Sequence, residues 1–222
     1  MRLLSLSLLG FSLFACGGDG GNTGGGTGGA GGSGGAGGGG GSVAGCTAQN
    51  CAGCCLSGAC QPGSTAAACG KNGSACAACS ANQICRVEQT CGVDPDSMWK
   101  VQPTAATITP NNNGSSWDGD NSAPDVVIRL DCPPFSTTTF DSSTPEASSY
   151  NPTWNSGGCT AKASDLLTTG FQFQAFDIDA FSDDTVSSVL SYKPTEADFV
   201  SGSFTLQPSG GLQSLTVQLQ KQ

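Results

Sequence analysis

The sequence predicts a mainly β protein in three parts. An antiparallel β-sandwich of residues 96–222 follows a small disulfide-stapled module at 46–93 and a disordered Gly-rich tether at 16–45. Three observations carry this. The apolar runs after residue 96 are short, rich in β-type residues and separated by turn residues. Ten of the 13 cysteines fall between Cys46 and Cys91. From residue 17 to residue 42, 18 of 26 residues are Gly.

The chain begins with the pattern of an export signal at 1–15: Arg2 supplies positive charge, residues 3–14 form a short apolar run, and Ala15 precedes Cys16. That run is too short for a span of about 20 residues. Leu13-Phe14-Ala15-Cys16 resembles the bacterial lipobox, with Phe14 departing from the small residue usual at that place. The resemblance implies cleavage before Cys16, lipidation of its thiol and attachment to a membrane. Gly17 in place of Asp then favours the outer membrane or cell surface. The tether cannot bury enough apolar surface to offset its ordering entropy. As a flexible coil it reaches roughly 25–30 Å.

The 46–93 module contains no Phe, Tyr or Trp. Its large aliphatics are few, so it cannot build an ordinary core, and exported modules of this kind rely on disulfides. Setting Cys16 aside leaves 12 cysteines, an even number. Cys51-Ala52-Gly53-Cys54 and Cys60 are repeated 25 residues later as Cys76-Ala77-Ala78-Cys79 and Cys85. This reads as two copies of one disulfide loop, with Cys46, Cys55, Cys69 and Cys91 completing five bridges. A zinc site built on the two Cys-x-x-Cys pairs is the lesser alternative. Export and the surplus of cysteines favour disulfides.

Beyond residue 96 the aromatic content rises. All three Trp, both Tyr and eight of ten Phe lie between Trp99 and Phe204. Strands are predicted at 126–130, 171–176, 199–206 and 212–219, the last with Leu215, Val217 and Leu219 on one face and Thr216, Gln218 and Gln220 on the other. Cys132 and Cys159 are expected to bridge within this domain.

Chemistry concentrates in Phe176-Asp177-Ile178-Asp179-Ala180-Phe181-Ser182-Asp183-Asp184, which places four carboxylates in eight residues at the end of a strand. The Asp-x-Asp spacing sends two side chains to one side of an extended chain, where both reach one hard ion such as Ca2+. The competing reading is a solvated polar loop, since Asp is common in turns.

Three segments resemble a C2 domain in order and spacing: Trp117-Asp118-Gly119-Asp120-Asn121-Ser122-Ala123-Pro124-Asp125-Val126-Val127-Ile128, then Asn151-Pro152-Thr153-Trp154-Asn155, then 176–184. The resemblance implies a sandwich of about eight strands with loops at one end that hold Ca2+. By position it makes Asp177 and Asp179 the central ligands. The remaining acidic position of that loop falls on Thr185, so Asp184 serves with a loop one residue shorter, and Asp183 less well. Asp125, Asp118 and Asp120 are the first-loop candidates, with Ala123 an equally simple alignment in place of Asp125. Phe181 reads as a core or rim aromatic more readily than as a side chain inserted into lipid.

Net charge is −9, from 17 acidic and 8 basic residues, which argues against a nucleic-acid partner. The chain has no His, which excludes Ser-His-Asp, Cys-His and His-based metal catalysis. Paired carboxylates can support glycoside hydrolysis, but the loops are short and a binding role is expected instead of an enzyme. The chain thus reads as a membrane-anchored surface lipoprotein whose Asp-rich loops bind Ca2+ and contact phospholipid, protein or polysaccharide. The alternative is a metal-free structural or adhesion lipoprotein with a degenerate C2-like sandwich.

Overall fold

The computed structural model describes residues 45–136 and 140–222. The predicted leader, Cys16 and the tether up to residue 44 lie outside them.

The module consists of seven short strands: β1 (Cys54–Leu56), β2 (Ala59–Gln61), β3 (Ser64–Thr65), β4 (Ala68–Cys69), β5 (Ser74–Ala75), β6 (Gln83–Cys85) and β7 (Cys91–Val93). They form one three-stranded sheet in the order β2-β1-β5 and two hairpins, β3-β4 and β6-β7. Five disulfides hold them: Cys46–Cys55, Cys51–Cys60, Cys54–Cys76, Cys69–Cys85 and Cys79–Cys91. The 25-residue sequence repeat does not become two copies of one loop. Cys51 closes on Cys60, whereas its repeat partner Cys76 bonds back to Cys54, and Cys85 pairs with Cys69. The second copy is thus stitched to the first. The sulfur triads that lie close enough to hold a metal, Cys46-Cys51-Cys55 and Cys69-Cys79-Cys91, consist of disulfide sulfurs, which removes the thiolates a zinc site needs.

The rest is a β-sandwich. Its strands are β8 (Met98–Ile108), β9 (Asp125–Asp131), β10 (Ser142–Ser143), β11 (Ala147–Ser148), β12 (Cys159–Lys162), β13 (Phe171–Asp177), β14 (Asp184–Thr185), β15 (Leu190–Tyr192), β16 (Ser203–Leu206) and β17 (Leu212–Lys221). One sheet runs β12-β8-β17-β16. The other runs β10-β9-β13-β14, with β11 extending the pairing along β9 and β15 along β13. Every pairing in both sheets is antiparallel. Counting β10 with β11 and β14 with β15 as interrupted rows gives four rows facing four, the predicted antiparallel sandwich of about eight strands.

The longest strand, β8, is the one the apolar pattern hides, because Pro103 sits within it. A proline cannot donate to a ladder. The chain accommodates it at a register shift, where Thr216 pairs with Ala105 and Val217 with Pro103, leaving Thr104 as the extra residue. Residues 150–154 then cross from one sheet to the other. They bond to β8 through Ala106 N–H to Pro152 O at 3.0 Å and Ile108 N–H to Tyr150 O at 2.8 Å. Gly158, at φ +103°, lets this segment turn against β8, since a Cβ there would lie 2.3 Å from the Val101 carbonyl oxygen.

Between the sheets lie Trp99, Ile128, Leu130, Phe171, Phe173, Leu212, Leu215 and Val217, all fully buried. Each such side chain contributes about 1.5–3 kcal/mol. Cys132–Cys159 joins the end of β9 to β12 and so ties the two sheets together. The predicted strand at 199–206 begins instead as a helix. Helix α1 (Ala163–Thr168) precedes β13, and α2 (Glu196–Ser201) precedes β16. Thr195 and Asp198 form a capping box at the start of α2, and Gly202 closes it at φ +71°. Phe199 on α2 meets Trp99 edge-on, with ring centroids 4.9 Å apart.

Module and sandwich form one compact unit. They meet at α2: Asn82 donates to the Phe199 carbonyl at 3.0 Å, and Glu196 accepts the Val93 N–H at 2.8 Å and pairs with Arg86. This junction lies at the end of the sandwich where β8 begins. The other end is left uncovered by the module.

Candidate metal-binding rim

At that open end four connections gather: 109–124, 148–151, 178–183 and 207–211. Strand alternation decides what they surround. In β13 the buried row is Phe171, Phe173, Ala175 and Asp177, so the period that fills the core also points a carboxylate inward where the strand reaches the rim. Asp177 is fully buried. Its Oδ1 accepts the Asp125 N–H at 2.6 Å, and its Oδ2 is buried with no hydrogen-bond partner. Burial pushes the Asp177 carboxyl up to about 6. The Asp125 N–H works against this shift, and the charges of Asp118, Asp179 and Asp125 add to it.

The other candidates divide into two groups. Asp125, first residue of β9, stands opposite Ser148 of β11, whose hydroxyl donates to its Oδ1. Asp118 lies in the 109–124 connection, where its Oδ2 accepts the Ser122 hydroxyl at 2.8 Å. Asp179 has no hydrogen bond among the described residues. Its carboxyl is held above the usual range by burial and then by the charges of Asp118, Asp184, Asp183 and Asp125. Asp184 opens β14 directly across from Asp177 and accepts from the Asn112 amide at 3.3 Å. Asp118, Asp125, Asp177 and Asp179 therefore form one mutually repelling group, with Asp184 at its edge.

Asp183 reaches that group only through its charge on Asp179, and Asp120 stands apart from it. Asp183 turns to the outer face of the sheet and pairs with Arg129 at 2.7 Å, whose guanidinium lies 4.2 Å above the Phe176 ring. Asp120 is exposed and accepts the Ser122 N–H at 3.0 Å, an Asx-type turn. Among the described residues, no three carboxylates bring their oxygens within 4.8 Å of one another.

Phe181 is neither core nor rim packing. It is fully exposed, at 103% of its reference area, on the same connection as Asp179. An aromatic there gains no hydrophobic stabilisation in the folded chain, because the short 178–183 connection holds it out with no apolar surface to cover it. Sequence reasoning also missed Ser148 and Asn112, which hold Asp125 and Asp184. Their only signal was position, in connections that end at the acidic rim.

The donor chemistry suits a hard divalent cation, with carboxylate oxygens only and one of them buried without a partner, but at about 2.3–2.6 Å per Ca2+–O bond three of these carboxylates would have to draw closer to share one ion.

No protein-family model matches the chain, and no curated protein matches it. Among solved structures it is similar to a C2 domain of plant Extended Synaptotagmin 1, at 14% identity and TM-score 0.40, covering 58% of this chain and 95% of that one. It is also similar to a structure described as a C2 domain, at 12% identity and TM-score 0.35, covering 55% of this chain and 97% of that one.

Proposed function

We propose that the chain is a Ca2+-dependent binding module, held at the cell surface by lipidation of Cys16, that contacts a lipid surface through its acidic rim. The observation that carries the metal reading is the buried, unpartnered Oδ2 of Asp177 in the company of Asp118, Asp125 and Asp179. A buried carboxylate without a partner is unfavourable unless something positive reaches it. Asp177 and Asp179 would hold the ion centrally, with Asp118 and Asp125 beside them and Asp184 at the edge. A bound ion supplies positive charge that relieves the repulsion and attracts anionic headgroups. The module leaves this rim open, and Phe181 offers it an apolar tip.

The test is a thermal melt of the exported protein with chelator and with millimolar Ca2+, the range in which extracellular modules bind. Ca2+ is expected to raise the melting temperature, and Asp177→Asn with Asp179→Asn to abolish the rise. An unchanged wild-type melt would count against the site. Co-sedimentation with phosphatidylserine-containing vesicles, with and without Ca2+, then tests the surface, with Phe181→Ser expected to weaken it. For the anchor, Cys16→Ser is expected to move the chain from the membrane fraction to the soluble fraction. The pattern of Leu13-Phe14-Ala15-Cys16 supports that reading.

A further inference from the structure

Bordering the acidic rim at Asp184, the sandwich has a groove of about 540 Å³ between the 109–124 connection, Thr185 and the chain after it, and the 207–211 connection. That volume is in the range of small-ligand sites, roughly 300–1,000 Å³. Its lining contains no charged side chain. Its polar side chains include those of Asn111, Asn113, Thr185, Ser188 and Ser209, with Trp117 below them.

The local backbone explains why the groove stays open. Trp117 is buried and donates its indole N–H to the Thr109 carbonyl at 2.8 Å, fixing the 109–124 connection against β8. Gly211 lets the opposite wall close on the indole, where a Cβ would lie 2.9 Å from the ring. Thr109 N–H to Gly211 O at 2.8 Å joins the two walls. Asn113 sits at φ +50°, a conformation Asn tolerates, and its amide nitrogen bonds Asn112. The Asn113 Oδ1, the Asn111 Nδ2 and the hydroxyls of Thr185, Ser188 and Ser209 are exposed and have no hydrogen-bond partner among the described residues, so they are free to exchange water for a ligand. The groove therefore offers both donors and acceptors, all neutral.

This chemistry excludes several ligand classes. Phosphate, nucleotide or a phospholipid headgroup is held best by a cation, a bound metal or a helix N-terminus, and the lining has no cation and no helix residue. A lipid tail needs an apolar wall, and here that is limited to the Trp117 edge and Val186. Polyanions would also be repelled by Asp184, which the Asn112 amide links to the groove. A ligand dense in hydroxyls and without charge satisfies what remains. We propose that this groove binds a neutral saccharide, one or two sugar units of a surface glycan, through the Asn111, Asn113, Thr185, Ser188 and Ser209 side chains. The site goes beyond the metal reading and does not depend on it.

The test uses the exported protein in chelator. It is titrated by calorimetry and by saturation-transfer NMR with a panel of neutral disaccharides (gluco-, manno- and galacto-configured), with inorganic phosphate and a polyuronate as contrasts. Binding of at least one neutral sugar and neither contrast is expected. Asn113→Gly, which keeps the positive φ, combined with Ser188→Ala removes two hydrogen bonds and should weaken binding about ten-fold or more. Ser209→Trp should block it, and the melting temperature of each variant reports whether the fold persists. No neutral sugar bound at millimolar concentration overturns the proposal, as does binding that folded variants leave unchanged. Binding that requires Ca2+ and disappears in Asp177→Asn also overturns it, because the sugar then sits on the metal. If the Ca2+ melt shift fails while sugar binds in chelator, the metal reading fails alone.

Discussion

The two halves of the described chain solve the same entropy problem by different means. The module from Cys46 to Cys91 carries five disulfides and no aromatic residue, and its buried apolar residues are mainly the cysteines themselves. The sandwich carries one disulfide and a continuous core of Trp, Phe, Ile, Leu and Val. In the first, covalent bonds restrict the unfolded chain; in the second, burial stabilises the folded one. The difference teaches where each half can vary. A module without an apolar core depends on its cysteines and on glycines that let its loops pass closely, such as Gly53 and Gly63, where a Cβ would lie 2.0 Å from the Gln61 and 1.9 Å from the Gly70 carbonyl oxygen. A sandwich filled by alternating strands must keep its inward row, and in β13 a carboxylate enters that row only at its end, at Asp177.

The largest effect that separates the halves is reduction. Each bridge contributes about 2–4 kcal/mol, so a reducing agent should abolish the module's structure while the sandwich, losing only Cys132–Cys159, persists. Hydrogen exchange read by mass spectrometry with and without reductant checks this. Protection should vanish over 46–93 and survive in β8, β9, β13 and β17. Retained protection in the reduced module would break the comparison.

The converse experiment acts on the core. Phe173 is 1% exposed at the centre of β13. Phe173→Ala should destabilise the sandwich by about 3–5 kcal/mol in denaturant titration, while exchange in the oxidised module changes little. Equal loosening of both halves would show that the junction at α2 couples them tightly.

How far these halves were legible follows from the same physics. Alternation revealed β13 and β17, whose core residues recur at every second position (Phe171, Phe173 and Ala175; Leu215, Val217 and Leu219), and β9 showed as a short β-rich run from Val126 to Leu130. These patterns did not reveal β8, because Pro103 contradicts a central strand until the bulge at Thr104 is seen, and a bulge has no periodic signal. Nor did they reveal α2, whose six residues are too few to show a helical period; Thr195 and Asp198 were its available signature. The cysteine count implied six bridges, but the 25-residue repeat suggested a symmetry that Cys54–Cys76 does not respect. In the rim, Asp177 and Asp179 were legible as a spacing. The diversion of Asp183 to Arg129 was not, since it depends on the antiparallel register that brings β9 beside β13.

A smaller effect isolates the rim. The ordinary aspartate value is 3.8, and burial raises Asp177 to about 6. Because the native state holds this proton more tightly than the unfolded chain does, Asp177 makes stability fall as pH rises through that window, levelling above it. The metal-free protein should therefore melt at a lower temperature at pH 7 than at pH 5. Asp177→Asn should flatten that part of the profile. A melt that rises steadily across the window, in wild type and variant alike, would remove Asp177 as its source.

The smallest expected effect lies where the halves meet. Glu196 accepts the Val93 N–H and pairs with Arg86, whose guanidinium also donates to the Val93 carbonyl at 2.7 Å. Gly92 makes room for that guanidinium, since a Cβ there would lie 2.3 Å from it. The pair is partly exposed, with side-chain exposures of 31% and 41%, so water screens much of its attraction. Glu196→Gln keeps the shape and one acceptor and should cost about 1 kcal/mol. The loss should appear as faster exchange at Gly92 and Val93, with the sandwich midpoint nearly unchanged. A loss several times larger would mean that α2 is held in place by the module, and that the sandwich relies on its disulfide-stapled neighbour for more than a covalent connection.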